Sequence, residues 1–139
     1  MPANNHEELL LDVAKALAED KEYPIDGTLL YAMLDYNMVG PSIFKESENH
    51  IIYRWPDLNR VGNALLRLWE AQADERAWSE IEYLIRDGKF EVTYTYPDEI
   101  DPEESWEDRR DRVVKRHFGD KPIVYPPWPP PDDENVFEL

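Results

Sequence analysis

Carboxylates are the reactive groups this sequence holds in quantity. The 31 Asp and Glu residues stand against 15 Lys and Arg, a formal charge of −16 over 139 residues. They are densest between Asp98 and Asp108, a stretch with seven acids and no base. Paired carboxylates can do general acid and base work or hold a divalent cation, so a small enzyme using acids with Mg²⁺ is chemistry the composition permits. The run Asp98-Glu99-Ile100-Asp101-Pro102-Glu103-Glu104 lacks the alternate ligands around a central Gly of a Ca²⁺ loop, which argues against a tight metal site. A solvated loop and a loop that binds a basic partner are the two roles left for it.

Other chemistries find less support. The sequence has no Cys, which excludes disulfides, thiolate metal sites and a cysteine nucleophile. His6, His50 and His117 fall at a helix start, a turn and a helix end, and none lies near a nucleophile-elbow pattern. His117 reads as a surface residue that compensates a helix dipole. Gly27, Gly40, Gly62, Gly88 and Gly119 stand apart, so neither a phosphate loop nor a dinucleotide fingerprint is present. Neither a cofactor nor a metal is expected. The negative charge repels nucleic-acid phosphates and anionic membranes, so direct contact with either is not expected.

Five Trp and eight Tyr exceed what one modest core needs. Trp106, beside the acid run, fits either a helix-start staple onto the core or an exposed interface anchor. Trp128, inside a proline cluster, fits either a groove of its own domain or a partner's surface. Trp55, Trp69 and Trp78 are expected in the core.

The elements that must position these groups follow from pattern. The length suits one domain, taken as residues 1–121, followed by a Pro-rich acidic tail over 122–139. From His6 to about Leu17, Leu9, Leu10, Val13, Ala14 and Leu17 form the stripe of an amphipathic helix. Leu29 to Tyr36 reads as a buried strand stopped by Gly40-Pro41, and Ser42–Lys45 and Ile51–Trp55 as two more strands of a meander. Asp57 is placed to cap a second helix running to about Arg76. Asp87-Gly88 is a type I′ turn signature, which puts Ile85 opposite Phe90, Tyr83 opposite Val92 and Ile81 opposite Tyr94 on one apolar side. The other side, with Glu80, Glu82, Arg86, Lys89, Glu91, Thr93 and Thr95, reads as polar. Ser105 and Asp108 form a capping box for a third helix that stops at Gly119. The expected fold is α+β: an antiparallel sheet, meander plus C-terminal hairpin, packed on one face by about three helices.

The order Trp78, alternating strand, Asp87-Gly88-Lys89-Phe90, Tyr94-x-Tyr96, acidic loop and Arg-rich helix resembles the YezG-type immunity-protein family, over roughly Glu7 to Tyr125. The resemblance implies a cytoplasmic antitoxin, without enzymatic activity, that binds and neutralises the toxic domain of a secreted polymorphic toxin, commonly a nuclease. Charge agrees, because a nuclease domain must be basic to hold nucleic acid. The start of the chain is polar and acidic rather than basic then apolar, and no run approaches the ~20 apolar residues of a membrane helix. The alternatives to an antitoxin are the acid-and-metal enzyme and a generic acidic adaptor. Charge alone assigns the partner contact to Asp98, Glu99, Asp101, Glu103, Glu104 and Trp106, together with Asp132, Asp133 and Glu134. If those fail, the polar hairpin side with Glu80, Glu82 and Glu91 is the next candidate.

Overall fold

The computed structural model describes residues 5–18, 25–35, 38–54, 59–71 and 77–125. Helix α1 (Asn5–Ala18) precedes three strands, β1 (Thr28–Asp35), β2 (Met38–Glu46) and β3 (Ile51–Arg54). Helix α2 (Arg60–Glu70) leads to the hairpin strands β4 (Glu80–Arg86) and β5 (Lys89–Thr95). A single 3-10 turn (Pro97–Glu99), helix α3 (Trp106–Phe118) and the short strand β6 (Ile123–Val124) follow. The strands make one sheet in the order β5-β4-β1-β2-β3-β6, antiparallel except for the β3–β6 pair. This is the α+β meander-plus-hairpin arrangement that the pattern predicts.

Asp87 and Gly88 both take positive φ, 57° and 73°, as a type I′ turn requires. The hairpin register pairs Ile85 with Phe90, Tyr83 with Val92 and Ile81 with Tyr94. These apolar side chains lie with Leu30, Ala32, Leu34 and Ile43 against Leu10, Val13 and Leu17 of α1 and Val61, Leu65 and Leu68 of α2. The Tyr83 hydroxyl donates to the Leu10 carbonyl at 2.8 Å, fixing α1 on the sheet. The Trp69 indole N–H donates to the carbonyl of fully buried Trp78 at 2.8 Å, fixing the approach to β4.

Helices cover both faces of the sheet rather than one. Leu29 and Tyr31 of β1 point opposite to Leu30, and with Phe44, Ile51, Tyr53 and Leu84 they pack under Val113, Val114 and Phe118 of α3. The reason is topological. Strands β5 and β6 are the two outermost strands, so the segment joining them must cross a face, and α1 and α2 already occupy the first. Strand β1, between β2 and β4, is consequently buried on both sides, which explains its continuous apolar sequence.

Three boundaries differ from those the pattern predicts. Helix α2 begins at Arg60, with Asn59 at its N-cap, and ends at Glu70, where the Ala71 N–H caps it by bonding to the Arg67 carbonyl, short of the expected Arg76. Gly40-Pro41 lies inside β2 instead of ending the first strand. Glu46 N–H bonds to the Gly27 carbonyl, so by alternation the even-numbered residues of β2 bond to β1 and the odd-numbered ones point away. The N–H that Pro41 lacks would therefore face the β3 side, where among the described residues β3 pairs with β2 over Ile43–Glu46, a position that tolerates proline. The start of the predicted tail also joins the sheet. Ile51 N–H donates to the Pro122 carbonyl at 2.9 Å, and Ile51 and Ile52 pair in parallel with Ile123 and Val124. Asp57, Trp55, Arg76 and the tail from Pro126 onward lie outside the described residues. Among the described residues no helix is long and apolar enough to cross a membrane.

Candidate partner-binding surface

The acid run becomes a compact turn between β5 and α3. Tyr96 is extended, and Pro97 starts the 3-10 turn with a φ its ring already favours. Glu99 closes that turn twice: its backbone N–H donates to the Tyr96 carbonyl and its carboxylate accepts from the Tyr96 N–H, both at 2.9 Å. Asp101 repeats the device, accepting from the Glu103 N–H at 2.9 Å through its side chain and from the Glu104 N–H at 3.2 Å through its carbonyl. The Ser105 hydroxyl then accepts from the Asp108 N–H at 3.1 Å, the predicted cap of α3.

This backbone pattern brings Asp98, Glu99, Asp101 and Glu103 to the surface as exposed side chains on consecutive turns. Glu104 differs. It accepts two bonds from Arg112, at 2.8 and 3.1 Å, and those bonds hold its carboxyl below the ordinary carboxylate range. Glu104 thus clamps the turn to α3, and its charge is shared with an arginine rather than offered outward.

Trp106 turns inward and is a staple, not an exposed anchor. Its ring stacks on Tyr31 with centroids 6.1 Å apart and planes 24° from parallel, and the Arg110 guanidinium lies 4.9 Å above it. Arg110 also sits over Phe44 and Tyr125 and donates to the Tyr125 hydroxyl at 3.2 Å, which ties the end of β6 to the same helix. Asp132, Asp133 and Glu134 lie outside the described residues.

The polar side of the hairpin is not an open surface at Glu80 and Glu82. Both are buried because α3 crosses above them, and each meets a base from that helix. Arg109 donates to one oxygen of Glu80 at 2.6 and 2.7 Å, while the Tyr31 hydroxyl donates to the other at 2.5 Å. Glu82 accepts from Arg116 and, at 2.9 Å, from His117 Nε2. His117 is therefore a half-buried partner of Glu82 rather than a free surface residue. Of Glu80, Glu82 and Glu91, only Glu91 is exposed. Sequence reasoning missed these pairings, although two acids two apart on a strand and bases seven apart on a helix were visible signals.

Burial opposes ionisation of Glu82, but the bonds from His117 and Arg116 outweigh it and lower its pKa below the ordinary 4.5. A lowered carboxyl stabilises the fold above its unfolded-state pKa, and that contribution is lost as pH falls through the lower folded-state value. Denaturant unfolding followed from about pH 6 to pH 3 should show this loss in the native chain, and a smaller acid-side slope in Glu82→Gln. Equal slopes would mean that Glu82 is not coupled to α3.

A groove of about 440 Å³ between α1 and α2 is lined by Asp12, Lys15, Asn59, Arg60, Asn63 and Arg67 and holds a single carboxylate. Among the described residues no group of three or more His, Asp or Glu is placed to hold a metal ion. Among the described residues, exposed acids are densest at the 98–104 turn, stapled by Trp106 and clamped through Glu104. Compared with known proteins, the chain matches no protein-family model and no curated protein.

Proposed function

We propose that this chain is a cytoplasmic immunity protein, a stoichiometric inhibitor that binds a basic toxin domain, such as a nuclease, through the acidic turn at 98–104. The observation that carries the reading is the geometry of that turn. Asp98, Glu99, Asp101 and Glu103 repel one another, yet backbone bonds, the Ser105 cap and the Glu104–Arg112 clamp hold them together on the outside of the fold. A basic partner relieves that repulsion, and a net charge of −16 steers it toward the surface. The resemblance of the Asp87-Gly88-Lys89-Phe90 hairpin and its following tyrosines to immunity proteins points the same way. Trp106 contributes by positioning the turn, not by contact.

Affinity purification of the tagged chain from its own cells, followed by co-expression with the captured toxin domain, tests the reading. Cells should survive the toxin only when this chain is present. The triple variant Asp98→Asn, Glu99→Gln, Asp101→Asn should keep the stability of the native fold while slowing association by roughly three- to tenfold at low salt. The native association rate should itself fall with ionic strength, because steering is screened over about 8–10 Å at physiological salt. Native rates in the triple variant would remove the turn from the interface. A toxin that kills equally with and without the chain would remove the inhibitor reading.

A further inference from the structure

Among the described residues the sheet ends on one side at β5, a seven-residue strand with no proline and an unbroken register to β4. Which of its backbone groups are engaged follows from alternation. The two-residue turn makes Arg86 and Lys89 a bonded pair, so Glu91, Thr93 and Thr95 also direct their N–H and C=O groups toward β4. The ladder on the far side of β4 agrees, since the Gly27 N–H, just before β1, donates to the carbonyl of the odd-numbered Ile85. Phe90, Val92 and Tyr94 therefore point three donors and three acceptors away from the sheet, and no strand among the described residues pairs with them. Sheet edges are usually protected by proline, bulges or inward charges. Here the only charges on β5 are Lys89 and Glu91, both near the turn, and the stretch from Val92 to Thr95 has none.

We infer that the open edge of β5 docks an extended segment of the inhibited protein as a seventh strand, with alternating apolar and basic side chains. The alternation comes from the two faces. On one, the half-buried Phe90, Val92 and Tyr94 continue the apolar layer beside α1, so every second side chain of the added strand meets apolar surface. On the other, Glu91 and Thr93 are exposed, and β5 runs through Tyr96 directly into the carboxylates of the 98–104 turn. A basic residue facing that side passes from Glu91 toward Asp98 and Glu99. A second copy of this chain is the poorer occupant, because joining two bodies of −16 sets like charge against like. The identity of the partner rests on the inhibitor reading above, whereas the open edge does not.

Amide hydrogen exchange on the full chain tests the inference with two synthetic peptides, one alternating Lys and Val and one alternating Glu and Val. The Lys–Val peptide should slow exchange at Phe90, Val92 and Tyr94 on the order of tenfold or more, and leave Glu91 and Thr93, already bonded to β4, unchanged. The Glu–Val peptide should slow none of them. Val92→Pro removes an outward N–H without removing a bond to β4, so it should abolish the slowing at Phe90 and Tyr94 while β4–β5 protection persists. No slowing with the Lys–Val peptide at roughly 1 mM overturns the inference. Equal slowing by the Glu–Val peptide, or slowing on raising the protein concentration alone, overturns the basic occupant in favour of uncharged pairing or a second copy. The two readings fail separately. A captured toxin that leaves the three amides in free exchange removes the edge alone, and a protected edge in a chain that neutralises no toxin removes the inhibitor reading alone.

Discussion

Replacing Arg109 by methionine is expected to lower the unfolding free energy by about 3–5 kcal/mol, because it leaves an ionised carboxylate buried without its counter-charge. Glu80 is only 2% exposed, and both of its oxygens are engaged, one by Arg109 and the other by the Tyr31 hydroxyl. Burial, followed by the neighbouring Glu80, pushes the Tyr31 pKa well up, so this hydroxyl keeps its proton and remains a donor at any working pH. One neutral donor cannot replace a guanidinium. Arg109→Met with Glu80→Gln should recover part of the loss, since the amide accepts from Tyr31 and no buried charge remains. Chemical denaturation of the two single variants and the double variant measures the coupling. An Arg109→Met chain within about 1 kcal/mol of native would show that water reaches Glu80 and that the pair does not hold α3. The consequence for function is positional. Arg109 lies one turn past the Ser105 cap, so loosening it should free the 98–104 turn from the sheet and weaken partner binding beyond what charge removal does.

Trp78→Ala is the second substitution of large effect, with an expected loss of about 3–5 kcal/mol. The indole is 2% exposed, stacks on Tyr94 with centroids 5.0 Å apart, and belongs to the cluster that joins α1 and α2 to the sheet. Removing it opens a cavity beneath the end of the hairpin and releases Tyr94, whose hydroxyl lies 3.4 Å from His6 of α1. Trp69→Phe gives a scale for comparison: it removes only the hydrogen bond to the Trp78 carbonyl and part of a half-buried ring, and should lose about 1 kcal/mol. Thermal or denaturant unfolding distinguishes the two. Similar losses would mean that the stacking and packing of Trp78 add little to the backbone bond it accepts.

Local signals were legible wherever a short segment fixes its own geometry. Asp87-Gly88 demands positive φ twice, and the hairpin register follows from it without reference to the rest of the chain. Ser105 and Asp108 announce the start of α3, and Gly119, at φ 81°, its end. The α1 stripe shows the same locality: Leu10, Val13 and Leu17 are buried as the 3.6-residue period requires. The density of acids between Asp98 and Asp108 likewise needs no fold to be recognised, and their exposure follows from the cost of burying like charges together.

What the sequence could not decide was which surfaces meet. Glu80 and Glu82 alternate with Ile81, Tyr83 and Ile85, a pattern that by itself means a solvated face, and only the passage of α3 over that face buries them. That passage depends on the strand order: β5 and β6 stand at opposite edges, a long-range fact no local window contains. The same crossing turns Trp106 inward onto Tyr31, makes His117 a partner of Glu82 and joins Ile123 to Ile51. Composition and local stereochemistry determined the elements and the acidic turn, since both depend on neighbours within a few residues. Tertiary structure decided which acids are neutralised by bases and which remain exposed at the surface, because the energy of a carboxylate depends on what is packed above it.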